Sequence, residues 1–345
     1  MKTKALLLLM SLLFLKEKSN AQLGMGKVED IKKLQTMTLV VVLRKENPST
    51  VKSLSKKPNE LKNYRLNIEK YNKEFKLAMD SFWFYKQELK YVELPYDRWD
   101  RNAKKELEKE LNSKEKDYAY IMQTASNYSF GTYDMEFYHR DVTGLKLSDL
   151  VVGFGDKSVP VGGTKLPFVD PSEADFIYGI QQIKTYFDFR LTKAEKSRKE
   201  AKAEYLQNAV KLKEKTLLVD KALLQNGLTE KEIKTVYPYL FKITDRAEID
   251  QAIINRDDKY AYVQVVAIGA STAGRRSHGE AMHGGISVTK SSLTFFQYVI
   301  DAKDGSMLGY AGGGVKLAGF SGGDHEIKKK HFEDYSKLVK DSENK

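Results

Sequence analysis

The chain has 345 residues, a net charge of +11 and no cysteine. That length suffices for about two domains with their own cores, and the lack of Cys excludes disulfides and thiolate chemistry, so stability has to come from packing. The 58 Lys and Arg are interspersed with 47 acids, a moderate basic excess that suits an anionic partner or plain solubility.

Residues 1–21 read as an export signal. Lys2 and Lys4 supply the positive end, residues 5–15 are apolar apart from Ser11, and Ser19-Asn20-Ala21 offers small residues to a signal peptidase. An apolar run of 11 residues is too short to cross a bilayer. The expected mature chain starts at Gln22, carries no transmembrane anchor and resides in the periplasm or outside the cell. The signal holds four Lys and one Glu, so its removal lowers the net charge to +8. No Cys follows the apolar run, which excludes a lipid anchor there.

Residues 27–35 look like a short amphipathic lead-in. Residues 38–43 (TLVVVL) are continuous and β-branched, as a strand covered on both faces would be. Residues 47–58 are polar with two prolines and predict a loop. Leu61, Tyr64, Ile68, Tyr71, Phe75 and Met79 fall in steps of three and four, which makes one helical face. A strand at 89–94, a charged helix at 98–111 and a strand at 118–124 follow. Residues 135–140 and 145–153 predict two more strands, and the Gly-, Val- and Pro-rich stretch 153–170 an exposed loop. Pro171-Ser172 opens a helix with Phe176, Ile180, Ile183 and Phe187 inward, continued by a highly charged helical connector over 191–215.

The same order then recurs: strand 216–219, helix 230–236, strand 240–244, helix 247–254 and strand 260–268. A hairpin formed by 293–301 and 307–310 turns at Lys303-Asp304-Gly305, and a final helix covers about 326–340. The hairpin corresponds to the pair at 135–153. The duplication is carried by NSKEKDYAYIMQT (112–124) and NRDDKYAYVQVV (255–266), each an Asn, a charged run, Tyr-Ala-Tyr and an apolar run. The prediction is a mixed α/β fold: two related β-α-β-α-β-β-β-α modules, 22–190 and 216–345, joined by the charged helix. Tyr118-Ala119-Tyr120 and Tyr260-Ala261-Tyr262 should occupy equivalent central strands, with both Tyr on one sheet face and the Ala on the other.

Candidate chemistry gathers in GASTAGRRSHGEAMHGG (269–285), expected to be an exposed, poorly ordered loop. A Gly-rich loop after a strand can offer backbone N–H groups to an anion, and Arg275, Arg276 and Ser277 would pair with it. His278, Glu280 and His283 could offer nitrogen and oxygen to a metal such as zinc, with His325 and His331 as further donors. Their spacing does not match the i, i+4 helical arrangement of H-E-x-x-H enzymes, and a solvated loop that happens to hold His accounts for them better. The Walker, G-x-G-x-x-G and G-x-S-x-G patterns are missing, so no motif assigns a cofactor or a nucleophile. The 20 Tyr and 16 Phe fall at helical and alternating spacings that suit core packing better than stacking on a ligand.

The two Asn-(charged run)-Tyr-Ala-Tyr segments resemble a class of exported proteins of unknown function built from tandem α/β modules. The strand and helix order is also similar to periplasmic modules of curli-secretion-type and related envelope assembly proteins. The likeness covers most of residues 36–341 and is architectural, with no catalytic or binding motif to carry over. The lipoprotein Cys of the curli-type proteins is missing here. The resulting reading is a non-catalytic envelope protein that binds an envelope protein or an anionic polymer. The alternatives are an anion- or small-ligand-binding module using 269–285, and a metal-dependent hydrolase. Export makes nucleic acid an unsuitable partner.

Overall fold

The computed structural model describes residues 27–95, 101–110, 118–127, 146–154, 160–168, 170–192, 207–275, 288–312 and 325–343. The chain is mixed α/β, with two five-stranded sheets. The first is built from β1 (Leu39–Arg44), β2 (Leu89–Leu94), β3 (Ala119–Asn127), β4 (Lys146–Phe154) and β5 (Gly162–Leu166). The second is built from β6 (Thr216–Asp220), β7 (Phe241–Thr244), β8 (Tyr260–Arg275), β9 (Val288–Asp301) and β10 (Met307–Gly312). The strand orders, β2-β1-β3-β4-β5 and β7-β6-β8-β9-β10, are the same. In each sheet the first three strands are parallel and the last two antiparallel.

The register repeats as well. Leu39 pairs with Leu89 and Ala119, and Ala119 with Phe154. Leu217 pairs with Phe241 and Ala261, and Ala261 with Asp301. The two Tyr-Ala-Tyr segments therefore sit at equivalent heights on equivalent strands. Alternation separates their side chains as expected: Ala119 packs with Leu39, Val41 and Ile121, whereas Tyr118 and Tyr120 pack with Val40, Val42 and Met122. Both alanines are fully buried. Ala119→Leu and Ala261→Leu should each overpack a sheet–helix contact and cost ~1–3 kcal/mol, readable as a lower denaturation midpoint with an unchanged slope.

Eight helices accompany the strands among the described residues: α1 (Val28–Leu34), α2 (Pro48–Leu54), α3 (Pro58–Phe82), α4 (Arg101–Glu110), α5 (Glu173–Thr192), α6 (Glu230–Lys234), α7 (Arg246–Ile254) and α8 (Lys329–Glu343). The Tyr face of the first sheet is covered by α4 through Leu107. Its Ala face meets α3 and α5. In the second sheet the Ala face is covered by α6 and α8 through Ile233, Phe332, Tyr335 and Val339. Its Tyr face, with Leu218, Tyr262 and Val266, joins α7 and α5 in the same core as the first sheet. The modules are thus stacked front to back, and α3, α5 and α7 form a helical layer between them.

This stacking explains α5. The expected inward residues Phe176, Ile180, Ile183 and Phe187 are buried, but so are Ala174, Asp175, Ile177, Tyr178, Gln181, Gln182 and Tyr186. A helix between two layers is enclosed all round, so its apolar stripe widens beyond one face. On α3 only the C-terminal half is enclosed, at Tyr71, Phe75, Ala78 and Met79.

Two expectations are corrected. The stretch 47–58 is not a loop: Asn47 caps α2 by accepting from Ser49 N at 2.9 Å, and Pro48 and Pro58 open α2 and α3. Proline at a first helical position loses an N–H that would have no partner anyway. The stretch 153–170 is not simply an exposed loop, because it contains the edge strand β5, with Val161, Thr164 and Leu166 buried. The glycine there serves close packing, since a Cβ on Gly162 would lie 2.6 Å from Phe187 Cε1. The counterpart of the β9–β10 hairpin is accordingly β4–β5, and the expected strand at 135–140 lies outside the described residues. The connector 191–215 is described only at its ends, the last of them a 3₁₀ helix, Asn208–Lys213.

Specific contacts join the modules besides the shared core. Gln182 Nε2 on α5 donates to Gly305 O in the β9–β10 turn at 2.8 Å. Gly305 has φ 74° and sits against Gln181, so only glycine fits. Arg256, after α7, donates to Ser81 O at 2.7 Å and stacks 4.1 Å from the Phe82 ring.

Candidate functional site

In an open sheet, crevices form at the carboxyl ends of parallel strands where neighbouring connections leave in opposite directions. Here β1 leads toward β2 and β3 toward β4, and β6 toward β7 and β8 toward β9. Each of these two crevices holds a charged cluster facing the shared helical layer.

In the first module Arg44 is the last residue of β1. Its guanidinium donates to Gln123 on β3, and it stacks 3.9 Å from the Tyr71 ring on α3. Asn72 holds the Arg44 backbone through both its N–H and its C=O, each at 2.8 Å. A cleft of about 90 Å³ opens beside it, lined by Arg44, Asn67, Lys70, Tyr71, Glu74 and Asp170. Arg44 Nη1 is 3.9 Å from Asp170, and Lys70 Nζ is 3.8 Å from Glu74 Oε1, so both ion pairs are loose. Glu74 Oε2 is sealed from solvent and has no hydrogen-bond partner among the described residues.

Burial pushes the Glu74 carboxyl above its ordinary value of 4.5, reinforced by Glu173, Asp175 and Asp250 and opposed by Lys70. A carboxyl whose folded pKa is raised binds its proton more tightly when folded, so it costs stability as pH rises above the unfolded value. Glu74→Gln should therefore melt higher than the parent protein at pH 7. The difference should shrink as pH falls toward 4.5 and below. An equal or lower melting temperature at pH 7 would count against this burial.

In the second module the guanidinium belongs to Arg246, the first residue of α7. It is 2.7 Å from Asp175 Oδ1 on α5, 2.7 Å from Asp250 Oδ1 and 3.3 Å from Gln264 Oε1 on β8. Asp175 Oδ2 also accepts from Ser172 N at 2.9 Å and from Ser172 Oγ at 3.2 Å. Burial pushes the Asp175 carboxyl up, with Arg246 and the two Ser172 donors working against it. Asp250 is raised for the same first reason, burial. This crevice is filled from within the molecule: the carboxylate in it comes from the first module.

At the opposite end of the second sheet Lys215 Nζ reaches Asp258 Oδ1 at 2.7 Å and Asp301 Oδ1 at 3.2 Å, while Lys303 meets Asp258 at 2.8 Å. Donation from Lys215 and Lys303 holds the Asp258 carboxyl at about 2. This set ties the β9–β10 turn to the start of β6.

The sequence-derived candidates are placed as follows. Residues 269–275 are not in a loop, because they continue β8, and Arg275 ends that strand opposite Val288. A strand continues there because β9 supplies an unbroken antiparallel partner, which outweighs the glycine content. Arg276, Ser277, His278, Glu280 and His283 lie outside the described residues. His331 Nδ1 accepts from Lys328 N at 3.0 Å, and the His325 ring lies tilted 5.9 Å from that of Phe295. Among the described residues no group of three His, Asp or Glu could hold a metal ion, and no helix is long and apolar enough to cross a membrane.

Arg44, Glu74, Asp175 and Arg246 were not singled out by sequence. The available signal was a charge at the end of an apolar parallel strand (Arg44 after LVVVL) and one inside an apolar helix (Asp175 before FIYGI). Comparison with protein-family models, with curated proteins and with solved structures finds no match for this chain.

Proposed function

We propose that this is an exported, non-catalytic envelope protein that works by binding a partner. The observation that carries the reading is the ribbon made by β8 and β9. The parallel pairing of β6 with β8 spans only Thr216↔Tyr260 to Leu218↔Tyr262, and β10 follows β9 only from Ile300 back to Phe296. Beyond these, β8 and β9 continue through Ala267↔Phe295 and, after a bulge, through seven more pairs from Gly269↔Thr294 to Arg275↔Val288. At ~3.4 Å per residue the ribbon extends roughly 20–25 Å past its sheet. Among the described residues no third strand pairs with it. Unpaired strand edges are templates for an extended segment of another chain. The basic pair Arg275-Arg276 at its far end favours an anionic group on that partner. Export rests on the Lys2, Lys4 and apolar pattern of residues 1–21.

Affinity capture from the envelope fraction of source cells tests this, with the parent protein beside a variant in which residues 270–293 are replaced by an Asn-Gly turn. The parent should retain a partner that the shortened variant loses, with both melting alike. Arg275→Ala with Arg276→Ala should weaken capture, more so at low salt. Capture that survives the shortened ribbon would overturn the reading.

A further inference from the structure

We propose that the Arg44–Glu74 cleft of the first module binds a small zwitterion, a free α-amino acid, with its carboxylate on Arg44 and Lys70 and its ammonium on Glu74 and Asp170. The site is independent of the β8–β9 ribbon and of any macromolecular partner.

Three observations converge. The first is the place: Arg44 stands at the carboxyl end of β1 and is tied to β3, at the crevice where an open sheet takes small ligands. The second is the comparison between the modules. The second module's cluster, at the same end of its sheet but on the opposite, Tyr-bearing face, already contains a carboxylate held by an arginine, that of Asp175 on Arg246 at 2.7 Å. The first crevice has the arginine, and among the described residues no carboxylate comes closer to it than Asp170 at 3.9 Å. The third is unused bonding capacity of both signs. Arg44 is held rigid by Gln123 and the Tyr71 ring, and its Nη1 has no hydrogen bond to Asp170 at 3.9 Å. Lys70 is 3.8 Å from Glu74, beyond hydrogen-bond reach.

Charge and size narrow the ligand. Two cations and two carboxylates line the cleft, so a polyanion such as phosphate meets Glu74 and Asp170 in repulsion, and a metal cation meets Arg44 and Lys70. A molecule carrying both charges satisfies both pairs. The cleft is small, about 90 Å³, which suits a small ligand such as glycine or alanine, and a larger side chain would project into solvent past the exposed Asp170 and Lys70. Arg44 is fixed before binding, so little ordering cost falls on the protein.

Isothermal titration calorimetry on the purified protein tests this with glycine and L-alanine as probes, and with acetate, methylammonium and glycylglycine as comparisons. Glycine or alanine should bind saturably at one site, and acetate and methylammonium at least about tenfold more weakly, since each leaves one charged hydrogen-bond set unmade. Glu74→Gln keeps the side-chain shape and should weaken glycine by about tenfold or more, while its melting curve shows that it is folded. Lys70→Ala should weaken glycine a few-fold. No saturable heat with either amino acid, equal affinity for acetate and glycine, tighter binding of glycylglycine than of glycine, or an unchanged affinity in Glu74→Gln each overturns the proposal. None of these results bears on capture by the ribbon.

Discussion

Replacing Arg246 with Ala should lower stability by ~3–5 kcal/mol, the usual cost of removing one partner from a buried ion pair. The reason is what stays behind. Asp175 is 1 % exposed and sits on a helix enclosed by both modules. Asp250 shares the same guanidinium. Without Arg246 the buried Asp175 faces the half-buried Asp250, and Asp175 keeps only the Ser172 donors. The loss should depend on pH with a definite sign. Asp175 already has a raised pKa from burial, and removing the cation raises it further. The variant's deficit should be largest at neutral pH and shrink as pH falls, because Asp175, its pKa raised, takes up a proton before the ordinary carboxyl range is reached. A double replacement, Asp175→Leu with Arg246→Met, should recover most of the loss, because two apolar side chains can replace a buried pair without leaving an orphaned charge. Urea denaturation of the three proteins at pH 7 and pH 4.5 checks this. A deficit that is the same at both pH values would falsify the assignment to an uncompensated carboxylate.

Phe176→Ala should cost a similar ~3–5 kcal/mol by cavity formation, and its effect should reach both modules. Phe176 is fully buried and stacks on Phe75 with ring centroids 4.4 Å apart, with Tyr71 edge-on at 5.4 Å. Its helix packs on the first sheet and on α7 of the second module, and one hydrophobic core runs from Leu39 to Tyr262. The parent protein should therefore unfold in one transition, and the variant in one transition at lower temperature. Calorimetry reads this directly. Two resolved transitions, with only the first shifted in the variant, would show that the shared core does not couple the modules.

How much of this was legible in sequence differs by element. The β-α-β-α-β-β-β-α order and the equivalence of the Tyr-Ala-Tyr strands followed from local signals: β-branched runs, period-two alternation and a repeated motif, each a property of neighbouring residues. These were sufficient to place the two Tyr-Ala-Tyr segments on equivalent strands, whereas the register that sets Ala119 beside Leu39 and Ala261 beside Leu217 came only with the sheets. Capping and edge pairing were misread where one residue type serves two ends. Pro48 and Pro58 break a helix in its interior but open one at its first turn. Glycine at 162 marks a turn in isolation but here admits the Phe187 ring.

What the chain by itself determined is the pair of modules and the alternation of their strands, because backbone hydrogen bonding and side-chain period act over a few residues. The tertiary structure alone decided that the modules stack front to back. That arrangement encloses α5 on all sides and makes Asp175 the occupant of the second module's crevice. It leaves Arg44 and Glu74 facing each other across an open one, although they are distant in sequence and belong to different elements. Such a site arises from packing between surfaces, and no spacing along the chain encodes the distance between them.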